Sequence, residues 1–278
     1  NLAKALRKLD PDLELRGMVG DAMREAGVTE EFDSKLVSLV GLVEVMGKLP
    51  QVIRTLRRLK KRLKEEKPDA IVLIDAPDFN FRVARMARKL DIPVYYYITP
   101  QVWAWRAKRV HFLGKYCRRI LTILPFEKAF FAKRGVEADY VGHPLLDQIP
   151  FAELDAIAPD PRHIAILPGS RTKEIETLLP EFAGAAAILA KEYPDLRFSM
   201  ARAPGVDEKL LKSFWNDDIP VAIVEPEDRY RLMREASFLI ACSGTVTLEA
   251  ALIGTPGIVG YKLSNLTMAV GRLLVDIR

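Results

Sequence analysis

The sequence predicts an α/β protein in which the strands of parallel sheets alternate with helices. Two observations support this prediction: short apolar runs rich in β-branched residues recur along the chain, and a helical pattern separates each run from the next. Right-handed crossovers would place such strands in a doubly wound parallel sheet. From residue 69 onward we expect strands at 69–74, 92–98, 119–123 and 138–141, with helices at 79–90, 105–116 and 126–134.

A second βα series follows a segment that has no regular pattern. Residues 142–162 contain four prolines and several aspartates, and therefore predict a linker. We predict an N-terminal domain over residues 1–150 and a C-terminal domain over residues 151–278, two Rossmann-like units that face a cleft. In the second domain, strands are expected at 163–167, 196–201, 220–224, 237–241 and 256–261, with helices at 174–192 and 263–278.

The part of the chain before residue 69 combines short elements with a basic helix. Because an α/β protein usually begins with a strand and this chain begins within a helical pattern, we expect a truncated chain. Gly47 and Pro50 separate an apolar run from the basic helix. The expected order is a helix from Leu2, a strand at 13–19, a helix at 21–26 closed by Gly27, the apolar run 36–46 and the basic helix 51–67.

The composition narrows the class of protein. Of 278 residues, 49% are apolar and 28% are charged, which is ordinary for a soluble globular protein. No apolar run approaches the roughly 18–20 residues needed to span a bilayer, and no secretory signal opens the chain. Cys117 and Cys242 have no metal-ligand spacing, and there are only three histidines. We therefore expect no metal site, and two buried thiols in a reducing compartment.

The net charge of +5 is concentrated in the predicted helix 51–67. Its cations are Arg54, Arg57, Arg58, Lys60, Lys61, Arg62, Lys64 and Lys67. Such a run usually forms a solvated helix face, and a phosphate-rich partner such as nucleic acid or anionic lipid is the alternative.

An apolar stripe lies beside this cationic face, and core packing is its default interpretation; it consists of Val52, Ile53, Leu56, Leu59 and Leu63. An apolar patch next to clustered Arg and Lys is also how a protein binds an anionic membrane surface. The candidate residues for such membrane contact are Val43, Val45, Met46, Leu49, Val52 and Ile53.

Residues 71–80 contain the first candidate site. The apolar run 71–74 predicts a strand buried on both faces, and Pro77 prevents the strand from continuing beyond Asp75. Open α/β sheets bind ligands at the carboxyl ends of their strands, so Asp75 is the candidate general base. The alternative is that the aspartates only shape the turn, with Asp78 or Asn80 capping the next helix.

Residues 167–171 predict an anion site at a second strand end. Gly169 provides a glycine turn at a helix N-terminus, where unpaired N–H groups can bind a phosphate. Ser170 adds a hydroxyl donor, and Arg171 can make a bidentate contact with a phosphate oxygen pair. The alternative is an ordinary βα turn.

Residues 243–249 repeat this arrangement. Ser243, Gly244 and Thr245 open a helix whose N–H groups could bind a diphosphate, and Glu249 lies deep enough to contact a ribose diol. The alternative is that Ser243 is an N-cap and Glu249 a surface residue. Two such turns in one domain favour a nucleotide site. Since there is no Lys-Ser/Thr pair and no Asp-x-Asp motif, we expect neither ATP hydrolysis nor a bound metal.

Several motifs of the chain occur together in one known family. They are Val43–Leu49 (VEVMGKL), Ile74–Asn80 (IDAPDFN), Thr99–Arg106 (TPQVWAWR), Leu124–Phe130 (LPFEKAF), Val141–Pro144 (VGHP), Leu167–Arg171 (LPGSR) and Ser243–Glu249 (SGTVTLE). In this order they resemble the lipid-A-disaccharide synthases, inverting glycosyltransferases of GT-B fold. The resemblance covers essentially the whole chain.

This resemblance implies a reaction and its partners. A UDP-2,3-diacylglucosamine donor would transfer its sugar to 2,3-diacylglucosamine 1-phosphate (lipid X), and UDP would be released. The family uses no metal and no cofactor, and it binds the cytoplasmic face of the inner membrane as a peripheral protein. No nucleic acid is expected as a partner, and the full-length protein is expected to form a homodimer.

The resemblance also implies roles for individual residues. Asp75 matches the base that acts on the acceptor 6-hydroxyl, and Arg171 matches an arginine placed at the donor diphosphate. The nucleotide-binding turn and ribose contact correspond to Ser243, Gly244, Thr245 and Glu249, and a loop at the cleft without a firm role corresponds to Gln101, Trp103 and Arg106. For Trp103 and Trp105, stacking or packing is the alternative.

Two family features are missing from the chain, and two other functions compete with the transferase. The missing features are the first strand with its Gly-Glu-x-Ser-Gly-Asp loop and the C-terminal segment with a Ser-Leu-Pro-Asn motif, so we expect the chain as given to bind poorly or to be inactive. The competing functions are a UDP-N-acetylglucosamine 2-epimerase of similar architecture and a non-enzymatic basic module that binds lipid or nucleic acid.

Overall fold

The computed structural model describes residues 2–33 and 42–262, with side chains described over 2–33 and 50–262. The described chain divides into two compact units, one ending at Pro144 and one beginning at Leu145. The predicted domain boundary at residue 150 remains a prediction. The predicted last helix, 263–278, lies outside the described residues.

The first unit contains a four-stranded sheet of order β3-β4-β5-β6 and a separate pair, β1-β2, and all of its strand pairs are parallel. Its strands are β1 (Arg16–Val19), β2 (Thr29–Asp33), β3 (Ile71–Ile74), β4 (Val94–Tyr97), β5 (Arg119–Thr122) and β6 (Asp139–Tyr140). Its helices are α1 (Leu2–Leu9), α2 (Asp21–Glu25), α3 (Leu42–Glu66), α4 (Pro77–Arg88), α5 (Arg109–Tyr116) and α6 (Pro125–Ala132). The alternation predicted from residue 69 is confirmed. Strand β2 was not predicted, because its sequence TEEFD is mostly polar and only Phe32 is buried.

Helix α3 differs from its prediction because it continues through Gly47 and Pro50. A proline removes one backbone N–H from the helix ladder and kinks a helix without always ending it. Pro50 is exposed, so its ring displaces no core side chain. The prediction that these two residues interrupt the helix was wrong.

Strand β3 also differs from its prediction, because only one of its faces is buried. Leu73 is buried and packs with Leu63 of α3 and Val83 of α4. On the opposite face, Val72 is 42% exposed and Ile74 is 38% exposed. β3 is an edge strand of the described sheet, and the helices that cover it lie on the side of Leu73. The expectation of burial on both faces was therefore wrong.

The second unit contains a five-stranded, fully parallel sheet of order β11-β10-β7-β8-β9. Its strands are β7 (Asp160–Leu167), β8 (Arg197–Ala201), β9 (Val221–Val224), β10 (Ala236–Cys242) and β11 (Gly257–Gly260). Its helices are α7 (Phe151–Leu154), α8 (Thr172–Glu192), α9 (Glu208–Ser213), α10 (Arg229–Glu235) and α11 (Thr245–Ile253). The five predicted strands are confirmed.

The predicted linker 142–162 is a packed segment. It contains a 3₁₀ turn over Pro144–Asp147, helix α7 and the start of β7. Leu145, Ile149 and Leu154 are buried in the core of the second unit. The prolines and aspartates of this segment bound short elements, so the expectation of a patternless linker was wrong.

Strand β7 is the centre of the second unit because the cores on the two faces of the sheet meet at it. Alternate side chains point to opposite faces of a strand, and both sets are buried here. Each buried Ile or Leu contributes roughly 1.5–3 kcal/mol. On the face of α8 the core contains Ile164, Ile166, Ile175, Leu179 and Met200, and on the other face it contains Ala165, Leu167, Met233, Leu239 and Ile253.

Candidate functional site

The carboxyl ends of β7 and β10 lie side by side in the middle of the second sheet. β7 pairs with β8 on one side and with β10 on the other, and Leu167 stands opposite Ala241. The helices that follow these two strands, α8 and α11, pack on opposite faces of the sheet. Open α/β sheets bind ligands at the carboxyl ends of such a strand pair.

Gly169 brings the turn after β7 close to the end of β10. Its φ of 109° lies in the region that favours glycine. A Cβ at this position would lie 3.1 Å from Oε2 of Glu174 and 3.4 Å from Sγ of Cys242. A larger residue would therefore be strained in its backbone and crowded by both neighbours, which is why this turn requires glycine.

Arg171 is tethered at the start of α8 and is still open to solvent. Its guanidinium forms an ion pair with Glu174 one turn along the helix, yet the arginine side chain is 61% exposed. Ser170 is exposed as well. Arg171 is also the N-cap residue, and no described side chain caps the helix. The first N–H groups of α8 thus remain available for an anion.

The turn after β10 has the same character. Gly244 is the N-cap of α11, again with no side-chain cap among the described residues, and Ser243, Gly244 and Thr245 are exposed. The backbone N–H of Ser243 donates to the carbonyl of Gly260 (3.1 Å), which ties the turn to β11. The alternative in which Ser243 caps the helix was wrong.

Glu249 is buried, so the alternative of a surface residue was also wrong. Its Oε1 accepts a hydrogen bond from the hydroxyl of Tyr230 (3.0 Å), and Nη2 of Arg229 lies 3.6 Å from the same oxygen. Arg229 also donates to the Tyr230 hydroxyl (2.6 Å). Burial, followed by the contact with Glu249, raises the pKa of Tyr230, so the phenol remains protonated and can donate. Oε2 of Glu249 is engaged by neither residue.

Asp75 follows β3 in the first unit and is exposed. Asp75 (φ 47°) and Ala76 (φ 40°) both have left-handed backbone conformations, which cost about 1–3 kcal/mol each for non-glycine residues. The backbone N–H of Asp75 donates to the carbonyl of Ile98 (3.2 Å). Its carbonyl accepts from the hydroxyl of Tyr96 (2.6 Å) and from Nδ2 of Asn80 (2.8 Å).

Neither Asp78 nor Asn80 caps the helix that follows, so that alternative was wrong. Helix α4 begins at Pro77 with Ala76 as its N-cap residue, because proline at the first helical position already has a helical φ and no N–H to satisfy. Asp78 instead forms an ion pair with Arg109 (2.9 Å). Asn80 is buried and donates to the carbonyls of Ile74 and Asp75.

The loop after β4 contains the three predicted residues Gln101, Trp103 and Arg106. Gln101 and Arg106 are exposed, and Trp103 is half-buried, with an edge contact to Phe126 at 5.1 Å between ring centroids. The Nε1 atom of Trp103 is buried and has no hydrogen-bond partner within the described part of the chain. The guanidinium of Arg106 lies 4.5 Å from the centroid of the Trp105 ring.

Helix α5 begins at Arg109, four residues later than the predicted start at 105. The reason is the backbone of Arg106, whose φ of 57° is incompatible with a right-handed helix. The predicted start was wrong, and the conformation of Arg106 keeps residues 101–106 as a loop at the carboxyl end of β4.

Glu127 is a structural residue of this region that we did not single out from the sequence. It is 1% exposed and lies at the third position of α6. Its carboxylate accepts from the backbone N–H of Leu124 (2.9 Å) and of Ile123 (3.2 Å), and from the hydroxyl of Thr99 (3.2 Å). Burial raises the pKa of Glu127. The signal that could have revealed it is the capping-box position, three residues after the N-cap.

The predicted membrane patch lies mostly outside the described side chains. The side chains of four of its residues, Val43, Val45, Met46 and Leu49, lie outside the described part of the chain. Val52 is half-buried and Ile53 is exposed. Farther along α3, the apolar stripe packs into the core through Leu56, Leu59 and Leu63, while all eight predicted cations are exposed. The default interpretation of core packing is confirmed for these three leucines.

Three further expectations concern thiols, metals and membrane spans. Both cysteines are free; Cys242 is buried and Cys117 is half-buried, and burial raises the pKa of the Cys117 thiol to about 12. Within residues 2–33 and 42–262, no cluster of three His, Cys, Asp or Glu residues could hold a metal ion. No helix of the described chain has the length and apolarity to cross a membrane.

Solved structures with this fold include sugar-nucleotide epimerases and glycosyltransferases. A UDP-GlcNAc 2-epimerase from Neisseria meningitidis superposes with a TM-score of 0.56 at 16% identity, over 90% of this chain and 73% of that chain. The glycotransferase of kitacinnamycin superposes with a TM-score of 0.61 at 13% identity, over 95% and 77% of the two chains. At such identities the likeness shows the fold alone, and the predicted α/β fold of GT-B type is confirmed.

Sequence comparison identifies the family. A family model described as lipid-A-disaccharide synthetase matches residues 1–278. Lipid-A-disaccharide synthases of Nitrosococcus oceani and Myxococcus xanthus are 37% and 38% identical to the chain, over 100% and 99% of it and over 73% and 74% of their own lengths. These matches favour the transferase over the epimerase and over the non-enzymatic module. The chain belongs to the lipid-A-disaccharide synthetase family of glycosyltransferases.

Proposed function

We propose that the chain transfers the sugar of UDP-2,3-diacylglucosamine to lipid X, which yields lipid A disaccharide 1-phosphate and UDP. The observation that supports this proposal most strongly is the pair of uncapped helix N-termini, α8 and α11, at the switch point between β7 and β10. Two such termini form a site for a diphosphate, and a diphosphate is the leaving group of a UDP-sugar.

The donor would bind at these termini. The N–H groups of both helices and the hydroxyls of Ser170 and Ser243 would contact the diphosphate, and Arg171 would neutralise its charge as the sugar leaves. Fixed donors of this kind stabilise developing charge without reorganising during the reaction, so they can assist departure of UDP without a metal. The free Oε2 of Glu249 would accept hydrogen bonds from the ribose diol.

Asp75 would act as the base in an inverting displacement. Its carboxylate takes the proton of the acceptor 6-hydroxyl, the 6-oxygen forms the new bond to the anomeric carbon, and the bond from that carbon to the diphosphate oxygen breaks on the opposite side. Support for this role comes from the position of Asp75 at a strand carboxyl end and from its exposure. The loop of Gln101, Trp103 and Arg106 follows the neighbouring strand β4 and would contact the acceptor.

An Asp75→Asn variant tests the base. Since general base catalysis contributes typically 10²–10⁴-fold, we expect transfer to fall by about that factor while UDP binding is unchanged. Transfer would be measured with radiolabelled lipid X in the full chain, and UDP binding by calorimetry. Asp78→Asn, at another exposed carboxylate in the first turn of α4, is the matched control and should keep its activity. Near-normal transfer by Asp75→Asn would refute the base role.

We also propose that the protein is peripheral at the cytoplasmic face of the inner membrane and contacts anionic lipid through α3. The support is the exposed Ile53 beside an exposed cationic face. A homodimer of the full-length protein remains a prediction.

A charge substitution tests the membrane contact. Arg57, Lys60 and Lys64 lie on one face of α3 at spacings of three and four residues. Each cation near an anionic surface contributes about 1 kcal/mol, so changing all three to Gln should weaken binding to phosphatidylglycerol vesicles about a hundredfold in a sedimentation assay. Changing Lys173, Lys191 and Lys209 of the second unit to Gln removes the same charge and should have little effect. Equal losses in the two variants would show that only net charge matters.

A further inference from the structure

We propose that Tyr96 and Asn80 are positioning residues that hold Asp75 in the left-handed turn from which its carboxylate works. This inference rests on the proposed base role of Asp75 and deepens it. These two side chains would not touch either substrate. They would act on the reaction indirectly, by holding the backbone of Asp75.

The turn at Asp75 and Ala76 does not have the residues that its conformation favours. Two consecutive residues adopt left-handed conformations, with φ values of 47° and 40°, and neither is glycine. Such a conformation persists only where the surroundings determine it, and strained backbones of this kind cluster at functional sites. Something must therefore hold this turn.

Three hydrogen bonds to two successive carbonyls hold it. The Tyr96 hydroxyl donates to the carbonyl of Asp75 at 2.6 Å, and Nδ2 of Asn80 donates to the carbonyls of Asp75 (2.8 Å) and Ile74 (3.0 Å). The direction of the Asp75 carbonyl depends on the ψ angle of Asp75. Because these donors fix that direction, they also fix where the Cα–Cβ bond of Asp75 points.

Both donors are themselves rigid. Tyr96 is fully buried in β4, opposite Leu73 in the register with β3, and its ring contacts that of Phe81. Asn80 is buried on α4. Burial, together with the negative charge of Asp75, raises the pKa of Tyr96, so its hydroxyl stays protonated and serves as a donor to the carbonyl.

Tyr96→Phe and Asn80→Ala test the proposal in the full chain. Loss of one neutral hydrogen bond predicts a fall in kcat of about fivefold to tenfold for Tyr96→Phe, and a larger fall is expected for Asn80→Ala, which loses two. The KM for the donor and the affinity for UDP should stay within about twofold, because the nucleotide site lies in the other unit. Tyr95→Phe, the same substitution at the neighbouring residue of β4, should leave kcat unchanged.

Rescue separates positioning from general structural damage. Glycine adopts the left-handed conformation freely, so Ala76→Gly introduced into Tyr96→Phe should restore much of the lost kcat. The proposal is overturned if kcat in both single variants stays within twofold of the parent. It is also overturned if kcat falls only in proportion to the folded fraction seen by circular dichroism and Ala76→Gly restores nothing.

The outcome is distinguishable from failure of the proposed function. An inactive Asp75→Asn variant beside fully active Tyr96→Phe and Asn80→Ala variants would keep the base and remove its positioning residues. An active Asp75→Asn variant would remove the base itself, whatever Tyr96→Phe shows.

Discussion

The turns that follow β7 and β10 and the turn that follows β3 occupy equivalent places at strand carboxyl ends, yet they are built for opposite charges. All three turns lead into helices that no described side chain caps, but only the first two carry glycine, Gly169 and Gly244. The third has no glycine, and its helix begins with Pro77, which has no N–H to offer. The first two turns thus present donors to an anion, whereas the third presents the carboxylate of Asp75.

This difference shows how one βα geometry serves two chemistries. A glycine turn lets a ligand approach the backbone and leaves the helix N–H groups free for it. A proline start removes one of those donors, and the left-handed conformation of Asp75 and Ala76 directs a side chain outward in their place. A single residue in each turn, glycine or proline, indicates which of the two chemistries the turn supports. Mutations in the glycine turns and in the proline turn should therefore have different consequences.

Among the substitutions in the two glycine turns, the largest effect is expected for Arg171→Ala. Removing a fixed donor from developing negative charge typically costs 10²–10³ in kcat, so we expect a loss of that size in the lipid X transfer assay. The ion pair of Arg171 with Glu174 is 61% exposed on the arginine side and 14% exposed on the glutamate side. Exposed pairs contribute about 0–1 kcal/mol to stability, and the more buried Glu174 places this pair at the upper end of that range. The melting temperature should therefore change by only a few degrees.

Lys173→Ala is the matched control for this experiment. Lys173 is an exposed cation on the same helix, two residues from Arg171, and its removal should leave kcat near that of the parent. If Arg171→Ala kept near-normal turnover, the turn after β7 would lose its assignment as an anion site. If its melting temperature fell sharply instead, the arginine would be structural.

Local patterns allowed much of the fold to be predicted. The second half of β7, residues 164–167, is a continuous apolar run, and Ser243 to Thr245 combine turn residues at a strand end, so both could be identified from the local sequence alone. The exposed face of β3 could not, because exposure of Val72 and Ile74 depends on which elements pack against that face. The passage of α3 through Pro50 was missed for a related reason, since a proline is tolerated where its ring meets no packed neighbour.

For the candidate site, too, the local motifs were predictable from the sequence and the long-range contacts were not. Asp75, Arg171 and Glu249 stand in recognisable motifs, and Asn80 lies in the motif of Asp75, whereas two other residues that orient them lie elsewhere in the chain. Tyr96 is 21 residues from Asp75, and Tyr230 is 19 residues from Glu249. The sequence around Tyr96 or Tyr230 contains no pattern that predicts a hydrogen bond from the hydroxyl to a distant residue. Such contacts arise only when the strands and helices have packed, so they require the structure.

A smaller effect is expected for Tyr230→Phe, and it tests whether Glu249 is oriented for a ribose. The substitution removes the hydroxyl that donates to Oε1 of Glu249 while Arg229 remains 3.6 Å from that oxygen. A hydrogen bond to a charged group contributes about 1.5–3 kcal/mol, but the remaining cation should offset part of the loss, so we expect UDP affinity to fall about fivefold to tenfold.

The informative measurement is calorimetry with UDP and with 2′-deoxy-UDP. The parent should prefer UDP, and Tyr230→Phe should narrow that preference, because a carboxylate that has lost its orientation discriminates the diol less well. Tyr193→Phe, at the exposed far end of α8, should leave both affinities unchanged. Equal weakening of the two ligands by Tyr230→Phe would mean that Glu249 supports the turn after β10 without contacting the ribose, and the comparison between the turns would then rest on the diphosphate alone.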